Sequence, residues 1–307
     1  MNHYKKKVIF IMGPTSSGKT KLSIELSKNI PITVISVDSL LVYRGMDIGT
    51  AKPTLKERKL TPHKLIDILD PSEFYSAGRF CLDALKEIKE SIKQNRIPVL
   101  TGGCMFYFKS LLNGMFNLPE KNSFIREKIK ILSNKFGRSI FHKYLELMDP
   151  KTSSKIHCND FRRISRAIEI MLITGKNRTD FSKKSFILPY KVYQFALLPN
   201  IDSLRSKIKR RFINMLKDGF ENEVRILYER NDLSRNLPSI KSIGYKQMWS
   251  FFSKEISYEE MIEQSILATY KYVKKQVTWI NSWQNTFRLC SDNLEVSTKK
   301  ILKIINN

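Results

Sequence analysis

An α/β fold, a doubly wound parallel sheet interrupted by a helical insertion domain, is predicted by three observations. Short apolar runs alternate with amphipathic helical segments over the first ~115 residues. A glycine-rich loop joins the first apolar run to the first helix. Beyond Pro119 the strand-like runs cease while helical periodicity continues. These features divide the chain into a first part of the core at 1–118, a basic helical insertion at 119–190, and a return to the core at 191–307 through a strand and C-terminal helices.

Val8-Ile9-Phe10-Ile11-Met12 is apolar and partly β-branched, the pattern of a strand buried on both faces. It runs into Gly13-Pro14-Thr15-Ser16-Ser17-Gly18-Lys19-Thr20, a match to G-x-x-x-x-G-K-[ST], and Lys19 to Asn29 follows as a helix with Leu22 and Leu26 inward. Strand, loop and helix in this order make the sheet P-loop NTPase-like. The glycines let the backbone close around a phosphate, N–H groups and the helix N-terminus face the anion, Lys19 adds a cation, and Thr20 can ligate Mg²⁺. The motif leaves open which di- or triphosphate it holds. Thr33 to Val37 is a second strand, closed by Asp38. Phe80 to Lys93 reads as a helix carrying Leu82, Leu85 and Ile88, and Ile97 to Leu100 is a third strand ending in Thr101-Gly102-Gly103. Ligands bind at the carboxyl ends of parallel strands, so the glycine loop, Asp38 and Gly102-Gly103-Cys104 are expected to share one crevice.

The insertion reads as helices at Phe124 to Phe136, Ile140 to Glu146 and Asp160 to Thr174, the last closed by Gly175. Val192 to Leu198 is again strand-like. Helices then begin at Ile201, Glu221 and Tyr258, and the third, running to about Trp283, would span about 39 Å.

Lys and Arg total 54 against 29 carboxylates, a net charge of +25. The excess is regional: 22 basic and 7 acidic residues lie between Lys121 and Arg211, against 14 and 11 from Phe212 onward. A regional excess of this kind points to a polyanion, nucleic acid above all, rather than to general compositional drift. No apolar stretch approaches the ~18 residues of a membrane span. The N-terminal Met1-Asn2-His3-Tyr4-Lys5-Lys6-Lys7 has no cleavable apolar segment, so a cytoplasmic location is expected. Cys81, Cys104, Cys158 and Cys290 are widely spaced and lack C-x-x-C pairing, which indicates neither a zinc site nor a disulfide framework.

Asp38 allows two roles. An acid closing a strand beside a P-loop can hold Mg²⁺ through water, or it can accept a proton from a nucleophile attacking near a bound diphosphate. The loop from Ser39 through Tyr43-Arg44-Gly45-Met46-Asp47-Ile48-Gly49-Thr50-Ala51-Lys52-Pro53 mixes apolar, aromatic and glycine residues and equally suits a surface loop.

Taken with the P-loop, that loop resembles the tRNA dimethylallyltransferase family, as do Pro62-His63, Asp70-Pro71 and Tyr75-Ser76-Ala77. Gly102-Gly103 leading into Tyr107-Phe108-Lys109 also fits, as do Arg163-Ile164-Ser165-Arg166-Ala167-Ile168-Glu169, Leu237-Pro238-Ser239-Ile240 with Gly244-Tyr245-Lys246-Gln247, and Gln276-Val277-Thr278-Trp279. The likeness extends from about Val8 to Trp283.

The resemblance implies transfer of a dimethylallyl group from dimethylallyl diphosphate to N6 of the adenosine 3′ of the anticodon in a tRNA stem-loop, using Mg²⁺; separately, a monomer is expected. On this basis Lys19 assists departure of diphosphate, Asp38 is the base, and Cys104 sits with the reacting groups. A target adenine must be flipped out of its stack to react. Family positions expected to line the tRNA path are Asp38, Ser39, Leu40, Leu41, Cys104 and Arg126, then Arg162, Arg163, Ile164, Ser165 and Arg166. They continue with Lys241, Ser242, Ile243, Gly244, Tyr245 and Lys246. The last group is Lys274, Lys275, Gln276, Val277, Thr278, Trp279, Ile280 and Asn281. The chain departs from the family at Cys104, where threonine is usual, and at Lys271 and Lys275, where arginine is usual. Two rival readings are an ATP-dependent kinase with a basic lid and a non-catalytic RNA-binding protein. The first is weakened by a third strand that ends without an acid.

Overall fold

Neighbouring side chains of a strand point to opposite faces, and in the first strand both sets are apolar, so its sheet must be covered on both sides. The computed structural model describes residues 7–116, 118–181, 183–184, 188–199 and 204–306. The stretch before Lys7 and the expected helix start at Ile201 lie outside the described residues. Two compact units emerge, Met1–Leu112 with Leu188–Asn307, and Asn113–Ile187.

In chain order the first unit begins with β1 (Lys7–Met12), α1 (Lys19–Ser27), β2 (Ile32–Val37), α2 (Leu55–Leu60), β3 (His63–Lys64), α3 (Ala77–Lys93), β4 (Ile97–Gly102) and α4 (Met105–Asn113). The second unit holds β5 (Met115–Phe116), α5 (Ser123–Phe136), α6 (Ser139–Met148), α7 (Pro150–Ser153), α8 (Phe161–Thr174) and β6 (Lys183–Lys184). The chain then continues with β7 (Lys191–Leu198), α9 (Leu204–Lys217), α10 (Phe220–Tyr228), α11 (Tyr245–Phe252), α12 (Tyr258–Asn281), β8 (Phe287–Cys290) and α13 (Leu294–Asn306).

The main sheet is parallel throughout, in the order β3-β2-β4-β1-β7-β8. Ile9 and Ile11 of β1 pack with Leu22 and Leu26 of α1 and Ile301 and Ile305 of α13. On the alternate register Phe10 meets Phe108 of α4, ring centroids 5.0 Å apart, and α3 lies against β2 and β4. Helices therefore cover both faces, the doubly wound α/β arrangement. Leu82 departs from expectation: α3 buries Phe80, Cys81, Ala84, Ile88 and Ser91, and Leu82 projects to solvent at 61% exposure. A phase set by Phe80 and Ala84 at i and i+4 leaves position 82 on the opposite side of the helix.

β8 and α13 were not foreseen, β8 because its sequence carries little strand signal. Only Leu289 of β8 is buried, because an edge strand needs little apolar sequence. α12 spans 24 residues, about 36 Å, and stops at Asn281 instead of Trp283. Its start is fixed by a capping box of Ser257 and Glu260.

Within the Asn113–Ile187 unit, Ile129, Phe141, Leu145, Ile156, Ile164, Ala167 and Ile168 form the core. A two-stranded antiparallel ladder pairs Met115 with Lys184. Glu169 of α8 is buried and almost fully used: Arg126 Nε and Nη2 each donate to it at 2.8 Å, Arg166 Nη1 at 2.7 Å, and the Asn122 N–H at 2.8 Å. Burial works to raise its pKa, but the arginine and backbone donors win and hold it at about 2.

Candidate active site

Register brings the chemistry together. Met12 of β1 and Val37 of β2 both lie opposite Gly102 of β4, so the residues that follow, Gly13, Asp38 and Gly103, leave the sheet side by side. The Gly13 N–H donates to the Gly102 carbonyl at 3.2 Å and the Cys104 N–H to the Val37 carbonyl at 3.3 Å. A Cβ on Gly13 would fall 2.6 Å from Ser17 Oγ and 2.7 Å from the Leu197 carbonyl, so only glycine fits where the loop leaves β1. The loop turns through left-handed backbone at Ser16 (φ 66°) and Gly18 (φ 86°). No side chain caps α1, which leaves its N-terminal N–H groups for an anion. Ser17 Oγ, buried in this loop, has no hydrogen-bond partner among the described residues, as suits a group awaiting a ligand.

Three charged side chains surround this cradle. Lys19 Nζ donates to the Pro14 carbonyl at 2.7 Å, and burial lowers its pKa to about 8 against the pull of Asp38. Burial raises the Asp38 pKa, opposed by the Leu40 N–H, which donates to its Oδ1 at 2.8 Å, and by Lys19. Arg211, contributed by α9, donates to Ser16 Oγ at 3.4 Å; burial lowers its pKa and Asp38 counters. Cys104 remains a neutral thiol, pushed up to about 12 by burial, with the Asp38 carboxylate adding to the effect.

Lys19, Asp38 and Arg211 line a cavity of about 370 Å³. Its polar lining includes Thr15, Lys19, Asp38 and Arg211 together with Ser39, Thr50, Lys241, Ser242, Thr269, Tyr272 and Gln276; Ile208, Phe212, Met215, Phe220 and Ile243 are apolar, and Gly49 and Gly103 also border it. Gln276 braces it: its Oε1 accepts from the Thr15 N–H at 3.1 Å and its Nε2 donates to the Gly103 carbonyl at 2.9 Å, so one amide ties the P-loop to the β4 turn.

The segment after Asp38 is a held wall rather than a free surface loop. The Lys52 side chain is buried, donating to the Tyr43 carbonyl at 2.7 Å and pairing with both Asp47 and Asp67. Leaving such a cation out of water demands fixed partners, and three oxygens supply them.

The residues expected along a tRNA path divide by burial. Arg162, Arg163, Lys241, Lys246, Lys274, Lys275, Thr278, Trp279 and Asn281 are exposed, and Ser39, Leu40, Leu41, Ser165, Ile243 and Val277 are half-buried. Ile164, Tyr245 and Ile280 are buried, and Gly244 and Gln276 are buried but border the cavity. The reason is helical phase: Val273, Gln276 and Ile280 share the inner face of α12, while Lys274, Lys275, Thr278 and Asn281 face out. Arg126 and Arg166 both pair with the buried Glu169, Arg126 remaining exposed and Arg166 half-buried. Ser242 is also buried and donates to the Ser239 carbonyl. Thr20 stands half-buried in the first turn of α1.

Arg211 was missed from sequence although a signal existed. Ile208, Arg211, Phe212 and Met215 recur at i, i+3, i+4 and i+7 on α9, one face of the helix, and all four line the cavity. The run of basic residues around it hid the one that faces inward.

A model of the family described as IPP transferase matches residues 41–283, starting after the P-loop and Asp38. The fold is similar to a full-length tRNA isopentenylpyrophosphate transferase from Bacillus halodurans, at 36% identity over 98% of this chain and 95% of that one, with a TM-score of 0.71. A tRNA delta(2)-isopentenylpyrophosphate transferase from Staphylococcus epidermidis matches at 33% identity, over 98% and 99% of the two chains, with a TM-score of 0.70. A eukaryotic dimethylallyltransferase acting on tRNA matches at 27% identity, over 98% and 78%, with a TM-score of 0.79. Since the family model spans well over half of the sequence, and two of these structures exceed 30% identity across nearly all of it, the chain belongs to the IPP transferase family.

Proposed function

We propose that the protein transfers the dimethylallyl group of dimethylallyl diphosphate to N6 of the adenosine 3′ of the anticodon in tRNA, acting as a cytoplasmic monomer. The observation that carries this reading is a single cavity in which an anion cradle, a neighbouring carboxylate and an apolar wall coexist. The P-loop N–H groups, Lys19 and Arg211 take the diphosphate, and Phe212, Met215, Phe220 and Ile243 take the five-carbon chain. The allylic C–O bond breaks as a bond forms from N6 to the same carbon, and the N6 proton passes to Asp38. Its raised pKa makes Asp38 a stronger base than an ordinary carboxylate. Negative charge developing on the leaving oxygens is met by donors already in place, which is where such stabilisation is largest.

Mg²⁺ would neutralise the departing diphosphate. The orphaned Ser17 hydroxyl and the uncapped α1 support a cradle suited to diphosphate, and Thr20 would hold the ion. No cluster of three or more His, Cys, Asp or Glu able to hold a metal occurs among the described residues, so most of its ligands would be diphosphate oxygens and water. Exposed Arg162, Arg163, Lys241, Lys246, Lys274 and Lys275 would meet tRNA phosphates. No described helix is long and apolar enough to cross a membrane.

The kinase reading is not favoured: the family and the similar structures are named transferases, and β4 ends in Gly102 with no acid. The test incubates the protein with labelled dimethylallyl diphosphate, Mg²⁺ and unmodified tRNA, with ATP in a parallel tube. Label entering tRNA without ATP is expected. ATP-dependent phosphorylation alone would overturn the reading.

A further inference from the structure

Glu223 of α10 does not line the cavity, yet it fixes part of the wall. Its Oε2 accepts from the Asp47 and Ile48 N–H groups at 2.7 Å each, and its Oε1 accepts from the Gly49 N–H at 3.0 Å and the Tyr245 hydroxyl at 2.6 Å. Three successive backbone donors thus converge on one carboxylate, a nest for an anion filled by the protein itself. The contact presses Gly49 onto aromatic rings: a Cβ there would lie 2.7 Å from the Tyr245 ring and nearer still to Phe220. Phe220 in turn meets Tyr245 edge-on at 5.1 Å and Phe212 at 6.0 Å. Gly49, Thr50, Phe212 and Phe220 all border the cavity. The backbone at 47–49, the edge-on rings and α10 are therefore one assembly, and Glu223 is the charged group that joins the loop to the helix.

We propose that Glu223 is a positioning residue that fixes the apolar end of this cavity and so limits the length of the prenyl chain accepted. The proposal rests on the prenyl-transfer reading. With the carboxylate in place, the Gly49 backbone and Phe220 form a fixed wall that would meet a five-carbon chain and obstruct a ten-carbon one. Without it, three N–H groups and a phenol lose their acceptor, the loop can withdraw from α10, and the wall recedes. A shape boundary of this kind is where apolar pockets discriminate by carbon count.

The test compares wild type with Glu223→Ala and Glu223→Gln, using dimethylallyl and geranyl diphosphates with the same tRNA. Wild type is expected to prefer the shorter chain. The ratio of kcat/KM values should fall by about tenfold or more in Glu223→Ala, with KM for dimethylallyl diphosphate rising more than kcat falls. Glu223→Gln is expected to fall between, because its amide keeps one acceptor oxygen and turns an NH₂ group toward N–H donors. If Glu223→Ala does not fold, Glu223→Gln carries the test. Amide exchange at Asp47, Ile48 and Gly49 should also quicken in the folded variants. An unchanged chain-length ratio in the folded variants, with wild type active, overturns the proposal alone. Absence of transfer by wild type overturns the underlying reading.

Discussion

Replacing Gln276 by leucine separates a brace from an RNA contact. The side chain is only 6% exposed, and its amide makes two hydrogen bonds that converge from different loops, to the Thr15 N–H and the Gly103 carbonyl. Leucine conserves the volume but leaves both groups without a partner. Each buried orphan costs about 1–3 kcal/mol, and because Thr15 lines the cavity, where water or diphosphate can reach its N–H, the combined loss is set at about 2–4 kcal/mol. If that loss falls on the geometry of the loaded P-loop, kcat/KM for dimethylallyl diphosphate drops by about 30- to 1000-fold. Steady-state kinetics with each substrate varied in turn reads this out, and KM for tRNA should stay within about twofold. A raised KM for tRNA with unaltered prenyl diphosphate kinetics would refute the brace and restore Gln276 to the RNA surface.

The remaining expectations concern charge. Asp38 must be ionised to take a proton, and its pKa is raised, so the acid limb of kcat/KM should lie above the ordinary carboxylate value of about 4. Lys19 must be charged to hold diphosphate, so the same parameter should decline as pH rises through about 8; a profile flat across that range would contradict both assignments. Cys104→Thr restores a hydroxyl that donates and accepts, and should raise the single-turnover rate about fivefold, the worth of one hydrogen bond; equal rates would remove this side chain from the chemistry. Glu169, held at about 2 against 4.5 when free, contributes stability above pH 4.5 that is lost as pH falls toward 2. Glu169→Gln should therefore destabilise by about 2 kcal/mol at pH 7, once solvent screening of the arginines is allowed for, and the gap should close between pH 4.5 and 2 in urea titrations. A gap that persists unchanged to pH 2 would deny the ion pairs their role.

Burial and pairing also separate basic residues that look alike in sequence. A positive run in sequence reports charge but not neutralisation: Arg126 and Arg166 pair with the buried Glu169 and Arg163 with Asp160. Arg211 was concealed in the same way, one inward residue in the run Lys207-Ile208-Lys209-Arg210-Arg211. The spacing with Ile208, Phe212 and Met215 could have singled it out, had the apolar face of α9 been known to border the cavity.

The sequence by itself determined the parts governed by local geometry. β1, the glycine loop and α1 are legible because a short continuous apolar run, left-handed backbone and an open helix N-terminus depend on a few adjacent residues. Asp38 and Gly103 could be placed beside that loop because parallel strands deliver their carboxyl ends to one edge. Only the tertiary structure decided that Gln276 braces the P-loop from 261 positions away, that Glu223 holds the backbone at 47–49, and that Arg211 faces Asp38. A side chain's role follows from what it faces, and for residues so distant in sequence the partner is set by packing, which no local pattern encodes.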